Sequence, residues 1–165
     1  MASSTYTPIA TTTLSSAAAT YTFSSIPSTY TDLVLICSYF KSATNTLGGY
    51  VNGDTGSNYS QTTLFGSGTT AYSLRETSAT TWYFVDGAAS STTNPNIYIL
   101  NFQNYSNTTT YKTVIGKGGE AANGAGADAC LWRSTAAINS ITITTRGFGN
   151  LNTGSTFTLY GIAAA

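Results

Sequence analysis

The chain contains no histidine, and only 7% of its 165 residues are charged. Without histidine, Ser-His-Asp and Cys-His catalytic arrangements are excluded, and the commonest metal ligand is missing. Six basic and six acidic residues give a formal net charge of zero. Phosphate binding draws on clustered lysine and arginine, whereas the basic residues here are scattered between Lys41 and Arg146. Nucleic acid is therefore not expected as a partner.

Long hydrophobic runs are also missing, since no stretch approaches the ~18 apolar residues of a membrane helix. The first basic residue is Lys41, so no positively charged region precedes an apolar segment, as it does in a secretory signal peptide. We therefore expect a soluble protein that is made in the cytoplasm and has no membrane partner.

Cysteine is scarce: Cys37 and Cys130 are the only two, and each lies in an apolar, strand-like stretch. Two widely separated cysteines without histidine cannot supply the four ligands of a structural zinc site. A disulfide between them is one alternative, but the apolar surroundings favour two free, buried thiols, because buried cysteine behaves as a small hydrophobe. No metal or other cofactor is expected.

Carboxylates are the remaining candidate catalytic groups, because a glycosidase needs only two that face each other across a sugar. No spacing marks a pair among the six, so we predict no catalytic residue and no enzyme activity. An exported carbohydrate-active enzyme is the least favoured alternative. The six acidic residues are Asp32, Asp54, Glu76, Asp86, Glu120 and Asp128.

The pattern that dominates the chain is short runs of β-branched and aromatic residues, broken by glycine, asparagine, aspartate or serine. It is typical of all-β proteins. We predict one antiparallel β-sandwich domain over 20–165, preceded by an extended N-terminal arm, 1–19. The arm docks either on its own domain or on a neighbouring subunit. About ten strands are predicted, at 21–23, 32–40, 47–52, 61–65, 82–86, 96–102, 111–115, 129–133, 140–145 and 156–162.

Two glycine-containing segments are predicted to be connections. The segment 116–126 is expected to be a long loop, because glycine weakens a strand. The segment 52–58 resembles a calcium loop, but Ser57 and Thr63 stand where an EF-hand has its glycine and its glutamate. A tight turn is predicted there instead, because Asn-Gly supplies the positive φ angles that such turns need.

The chain has twelve tyrosines and two tryptophans. Such residues could form a sugar-stacking platform, or they could lie in the core and in a protein interface. The core and interface interpretation is favoured. Part of the candidate protein interface lies in the arm, and part consists of aromatic residues expected to be exposed. In the alternative interpretation, one or both tryptophans lie in the core, as bulky aromatic residues usually do. The candidates are Tyr6, Pro8, Ile9, Tyr59, Trp82 and Trp132.

Three stretches carry a family resemblance: DLVL at 32–35, VNGDTGSNYS at 51–60, and a run that starts with LWRSTAAINSI at 131–141 and ends with GSTFTLYGI at 154–162. Together they resemble small virion structural proteins of tailed bacteriophages. The similarity covers roughly residues 8 to 162 and implies no catalytic residue.

The resemblance implies a structural protein of the virion that acts through subunit contacts. The favoured expectation is a capsid decoration, or cement, protein: a jelly-roll-like sandwich and homotrimer on the capsid exterior, which contacts the major capsid protein and bridges capsomers. The alternative is a tail, baseplate or fibre component that binds a host-surface glycan through the 116–126 segment and nearby aromatic residues.

Overall fold

The computed structural model describes residues 5–42, 46–84, 94–120, 122–147 and 149–163. These residues contain no helix, and their twelve strands form two antiparallel sheets, which confirms the prediction of an all-β sandwich. The strands are β1 (Tyr6–Thr13), β2 (Thr20–Phe23), β3 (Asp32–Tyr39), β4 (Thr46–Val51), β5 (Tyr59–Ser67), β6 (Thr70–Ala79), β7 (Trp82–Phe84), β8 (Asn96–Phe102), β9 (Lys112–Glu120), β10 (Gly124–Trp132), β11 (Ile141–Arg146) and β12 (Thr156–Ile162).

The sheets have the connectivity of a widened jelly roll. The large sheet has the order β1-β12-β3-β8-β9-β10-β5-β6, and the small sheet has the order β2-β11-β4-β7. The groups β1-β12-β3-β8 and β2-β11-β4-β7 make up an eight-stranded jelly roll. Two hairpins inserted between these strands, β5–β6 and β9–β10, extend the large sheet beyond β8. We call the strands β9, β10, β5 and β6 the wing.

Strand β3 lies inside the large sheet, between β12 and β8. Its residues Leu33, Leu35 and Cys37 are fully buried in the core, and Val34 on the opposite face is also buried. Full burial of an aliphatic side chain contributes about 1.5 to 3 kcal/mol, so a run that is apolar on both faces favours an interior position in the sheet. The face of β3 away from the core is covered at Val34 and only partly at Ile36.

Residues 5–19, predicted to be an arm, lie against the domain of their own chain. Strand β1 pairs with β12 and has a bulge between Pro8 and Ala10. Farther along, Ala18 and Leu151 exchange two backbone hydrogen bonds of 2.9 Å. Proline suits such an edge strand, because it has no N–H to donate. Residues 5–19 therefore dock on their own domain, which is the first of the two predicted alternatives.

The prediction of a long loop at 116–126 is wrong, because β9 continues to Glu120 and β10 begins at Gly124. The glycines are explained by the close approach of β8. A Cβ atom at Gly118 would overlap the carbonyl oxygen of Ile97, and one at Gly116 would lie 2.8 Å from the ring of Tyr98. Glycine is therefore needed here for space inside a sheet rather than for freedom in a loop.

The ten predicted strands are all present, but β1 and β6 were missed. Strand β6 is mostly exposed at the edge of the wing, so its sequence lacks the apolar alternation of a half-buried strand.

Both cysteines are free and buried, which confirms the prediction for them. Burial raises the pKa of the Cys37 thiol. Burial, and then the charge of Asp128, raise the pKa of the Cys130 thiol.

A thiol-reactive chromogenic reagent at pH 8 should therefore leave the native protein unmodified over minutes, because neither thiol is accessible as thiolate. After unfolding in guanidinium, both thiols should react at once. Rapid reaction of either thiol in the native protein would contradict the burial described here.

Replacing Gly118 by alanine should destabilise the fold by about 2 kcal/mol or more, because the new methyl group overlaps backbone that cannot move freely. Gly66→Ala in β5 is the matched control, since a Cβ atom there meets nothing within 4 Å. Guanidinium unfolding measures both variants. Equal midpoints for the two variants would show that the strands are not this close.

Candidate functional site

The predicted interface residues fall into two groups. Tyr6 and Pro8 are exposed on β1, and Ile9 is half-buried against the core. Tyr6 packs its ring edge-on at 6.2 Å from the ring of Tyr160 on the neighbouring strand. These positions lie at the β1 edge of the large sheet, far across that sheet from the wing.

The prediction that Tyr59, Trp82 and Trp132 are exposed is wrong, because all three are buried. Their polar groups have partners inside the protein, so their burial leaves no donor unpaired. The indole N–H of Trp82 donates to the carbonyl oxygen of Leu131 at 3.1 Å. Both tryptophans lie in the core, as the alternative interpretation predicted.

The second and third resemblance stretches lie together in space. We call residues 51–60 and 131–141 the turn hub. Its centre is the carboxylate of Asp54, which accepts hydrogen bonds from the Trp132 indole N–H at 2.7 Å, from the Asn58 amide at 2.9 Å and from the Gly56 backbone N–H at 2.8 Å. Trp132 ends β10, and Asn58 immediately precedes β5, so this carboxylate links the ends of two wing strands to one turn.

The turn itself is tight, as predicted. Asn52 and Gly53 have φ angles of 54° and 67°, which are the positive values that a type I′ turn needs. The side-chain oxygen of Asn52 accepts from the backbone N–H groups of Asn139 and Ser140 at 2.8 and 3.2 Å. The turn therefore packs on the segment before β11, and its side-chain oxygens are used within the chain.

The pKa of Asp54 is lowered overall. Burial raises it, but the hydrogen bonds from Trp132, Asn58 and Gly56 favour the charged form and together outweigh the burial. An aspartate in an unfolded chain titrates near pH ~3.9. The stabilisation that these bonds give is therefore complete above this pH, and it is lost as the pH falls through the lower pKa of the folded protein.

The other described carboxylates are also engaged within the chain. The carboxylate of Asp128 accepts from the hydroxyl groups of Thr63 and Tyr98. Glu76 forms a bidentate ion pair with Arg146, in which the two guanidinium nitrogens lie 2.7 and 2.8 Å from the two carboxylate oxygens. Among the described residues, no group of three or more acidic or cysteine side chains could hold a metal ion, and no helix is long and apolar enough to cross a membrane.

A distinctive surface lies on the wing. We call the side of β8, β9, β10, β5 and β6 that points away from the small sheet the outer face. Leu64, Ile97 and Ile115 are 62%, 41% and 40% exposed there. Small residues lie between them, and a shallow depression lies at the hairpin ends. The small residues of the depression are Gly66, Ala71, Ser73, Ala125, Gly126 and Ala127.

Sequence reasoning missed this surface. Its one detectable signal is the alternation of alanine and glycine in β10, where Ala125, Ala127 and Ala129 are exposed while Asp128 and Cys130 are buried. In the described part of β8 and the wing, no aromatic side chain points to the outer face. The hairpin at 116–126 therefore presents no sugar-stacking ring on that side.

Asp54→Asn should lower the free energy of unfolding at pH 7 by about 1 to 2 kcal/mol, because charge-assisted hydrogen bonds are replaced by neutral ones. The difference from the parent protein should shrink as the pH falls below about 4. Thr55→Ala, in the same turn, should match the parent throughout. Urea unfolding at several pH values measures all three, and a difference that stays constant with pH would contradict the assignment of the bonds to ionised Asp54.

The chain matches no family model, and no curated protein is significantly similar to it in sequence.

Proposed function

We propose that this chain is a non-enzymatic structural protein of a tailed-bacteriophage virion, and specifically a capsid decoration protein. It binds the exterior of the head as a homotrimer and bridges capsomers of the major capsid protein. The observation that carries the proposal is the broad outer face, which exposes small and apolar residues and no described carboxylate, and which widens a jelly roll of the kind common in capsid proteins.

The distribution of charge supports a role in packing rather than in chemistry. In the part of the chain that the structure describes, the carboxylates are held by hydrogen bonds within the chain, as at Asp54, Glu76 and Asp128. Carboxylates whose oxygens already accept hydrogen bonds from neighbouring residues are poorly placed to exchange protons with a substrate. The resemblance of the stretches that form the turn hub to phage virion proteins points the same way.

A decoration protein stabilises a shell by mass action, since it binds the mature lattice and not its disassembled parts. In a trimer, each subunit needs only a modest contact, because the second and third contacts form at high effective concentration. A small rigid sandwich with one broad sheet face suits this arrangement.

The proposal predicts a copy number comparable to that of the major capsid protein in purified virions, measured by quantitative mass spectrometry. Particles that lack the gene should lose DNA at a lower temperature than complete particles, and purified protein should restore their stability. A copy number that is a small percentage of the capsid protein would contradict decoration of the head and would favour a tail, baseplate or fibre component.

A further inference from the structure

We infer that the outer face binds a protein surface whose carboxylates lie opposite Arg75 and Lys117. The identity of the partner as the major capsid protein rests on the proposed function. The chemistry of the partner follows from the outer face itself.

The charge of the outer face is all of one sign. Arg75 on β6 and Lys117 on β9 are exposed on it, and neither makes a hydrogen bond or ion pair with the described residues. Other basic residues are engaged: Arg146 pairs with Glu76, and Lys112 donates to two carbonyl oxygens. No described carboxylate lies on the outer face. The two free cations therefore lack an anion that a partner would supply.

The strand register sets the spacing that the partner must match. Lys117 pairs with Ala127, which pairs with Leu64, and Arg75 lies on the next strand, opposite Thr62. Three steps of ~4.8 Å between strands and two residues along a strand put the two Cα atoms about 16 Å apart. This separation exceeds the Debye length at physiological salt, ~8 Å, so each cation needs a carboxylate of its own.

The apolar part of the outer face favours a protein partner over nucleic acid or a headgroup. In the strand register, Leu64 and Ala127 lie between the two cations, and Ile97 and Ile115 lie on β8 and β9 beside Lys117. A polyanion would leave these apolar side chains unmatched. Packing against the same face of a second copy would leave four cations without an anion. A partner surface that is apolar and carries a carboxylate opposite each cation matches both features.

The area of the outer face is consistent with multivalent binding. Five strands and about six residues along each give a patch of roughly 20 Å by 20 Å, or ~400 Å². Stable complexes commonly bury ~800 Å² on each partner. One copy would therefore bind weakly, and three copies in a trimer would bind tightly.

The test is binding of fluorescently labelled protein to head particles that lack the gene. The variant Arg75→Ala with Lys117→Ala should bind at least about tenfold more weakly, and its binding should depend less on salt concentration. The control is Ser24→Glu with Ser28→Glu, which makes the same change in net charge on the exposed loop between β2 and β3. It should bind like the parent protein.

Equal binding by the double-alanine variant and the parent would overturn the inference, and so would equal weakening by the control. A variant that loses its trimeric state in sedimentation would identify the face as a contact between copies, which would also overturn it. Failure of the proposed function looks different, because the parent protein itself would not bind the heads. The same variants would then be measured on purified tails, where a tenfold loss specific to the alanine variant would uphold the inference.

Discussion

The hydrogen bonds to the Asp54 carboxylate are the interaction on which the rest of the wing depends. They join the 52–58 turn to the indole of Trp132 at the end of β10, and the hydroxyl of Tyr59 at the start of β5 donates to the Asp54 carbonyl oxygen at 2.7 Å. Because β5 and β10 are neighbours in the wing, Asp54 holds both strands at the turn: its carboxylate binds Trp132, and its carbonyl oxygen binds Tyr59. The ring of Tyr59 in turn packs edge-on against Trp82, with centroids 5.0 Å apart.

Two further features hold the wing in place. Glycines in β9 and β10 let adjacent strands approach to distances that a side chain would not permit, as at Gly118 and Gly124. At the far edge, Arg146 on the small sheet pairs with Glu76 of β6 and lies 3.9 Å over the ring of Tyr83. Such a partly exposed ion pair adds little stability, but together with the ring it orients the edge strand.

The fold class and ten strands were predictable from the chain because buried strands alternate apolar and polar residues, as in β12. The 116–126 hairpin was not predictable, since its glycines are explained by neighbours such as Ile97 that are distant in sequence. The exposure of Trp82 and Trp132 was misjudged for the same reason: burial of an aromatic ring depends on which acceptors the fold brings near its N–H. The outer face was not predictable, because its residues come from five strands that lie far apart in the sequence, and no single strand shows that they share one surface.

The central claim is that the outer face of the wing is covered when the protein is in its assembly. Hydroxyl-radical footprinting of the free protein and of the intact virion tests this most directly, because it reports the exposure of individual side chains. The account predicts that Leu64, Ile97 and Ile115 become strongly protected in the virion, while Thr153, on the loop before β12, stays as reactive as in the free protein. Unchanged reactivity of these three residues in the virion would contradict it.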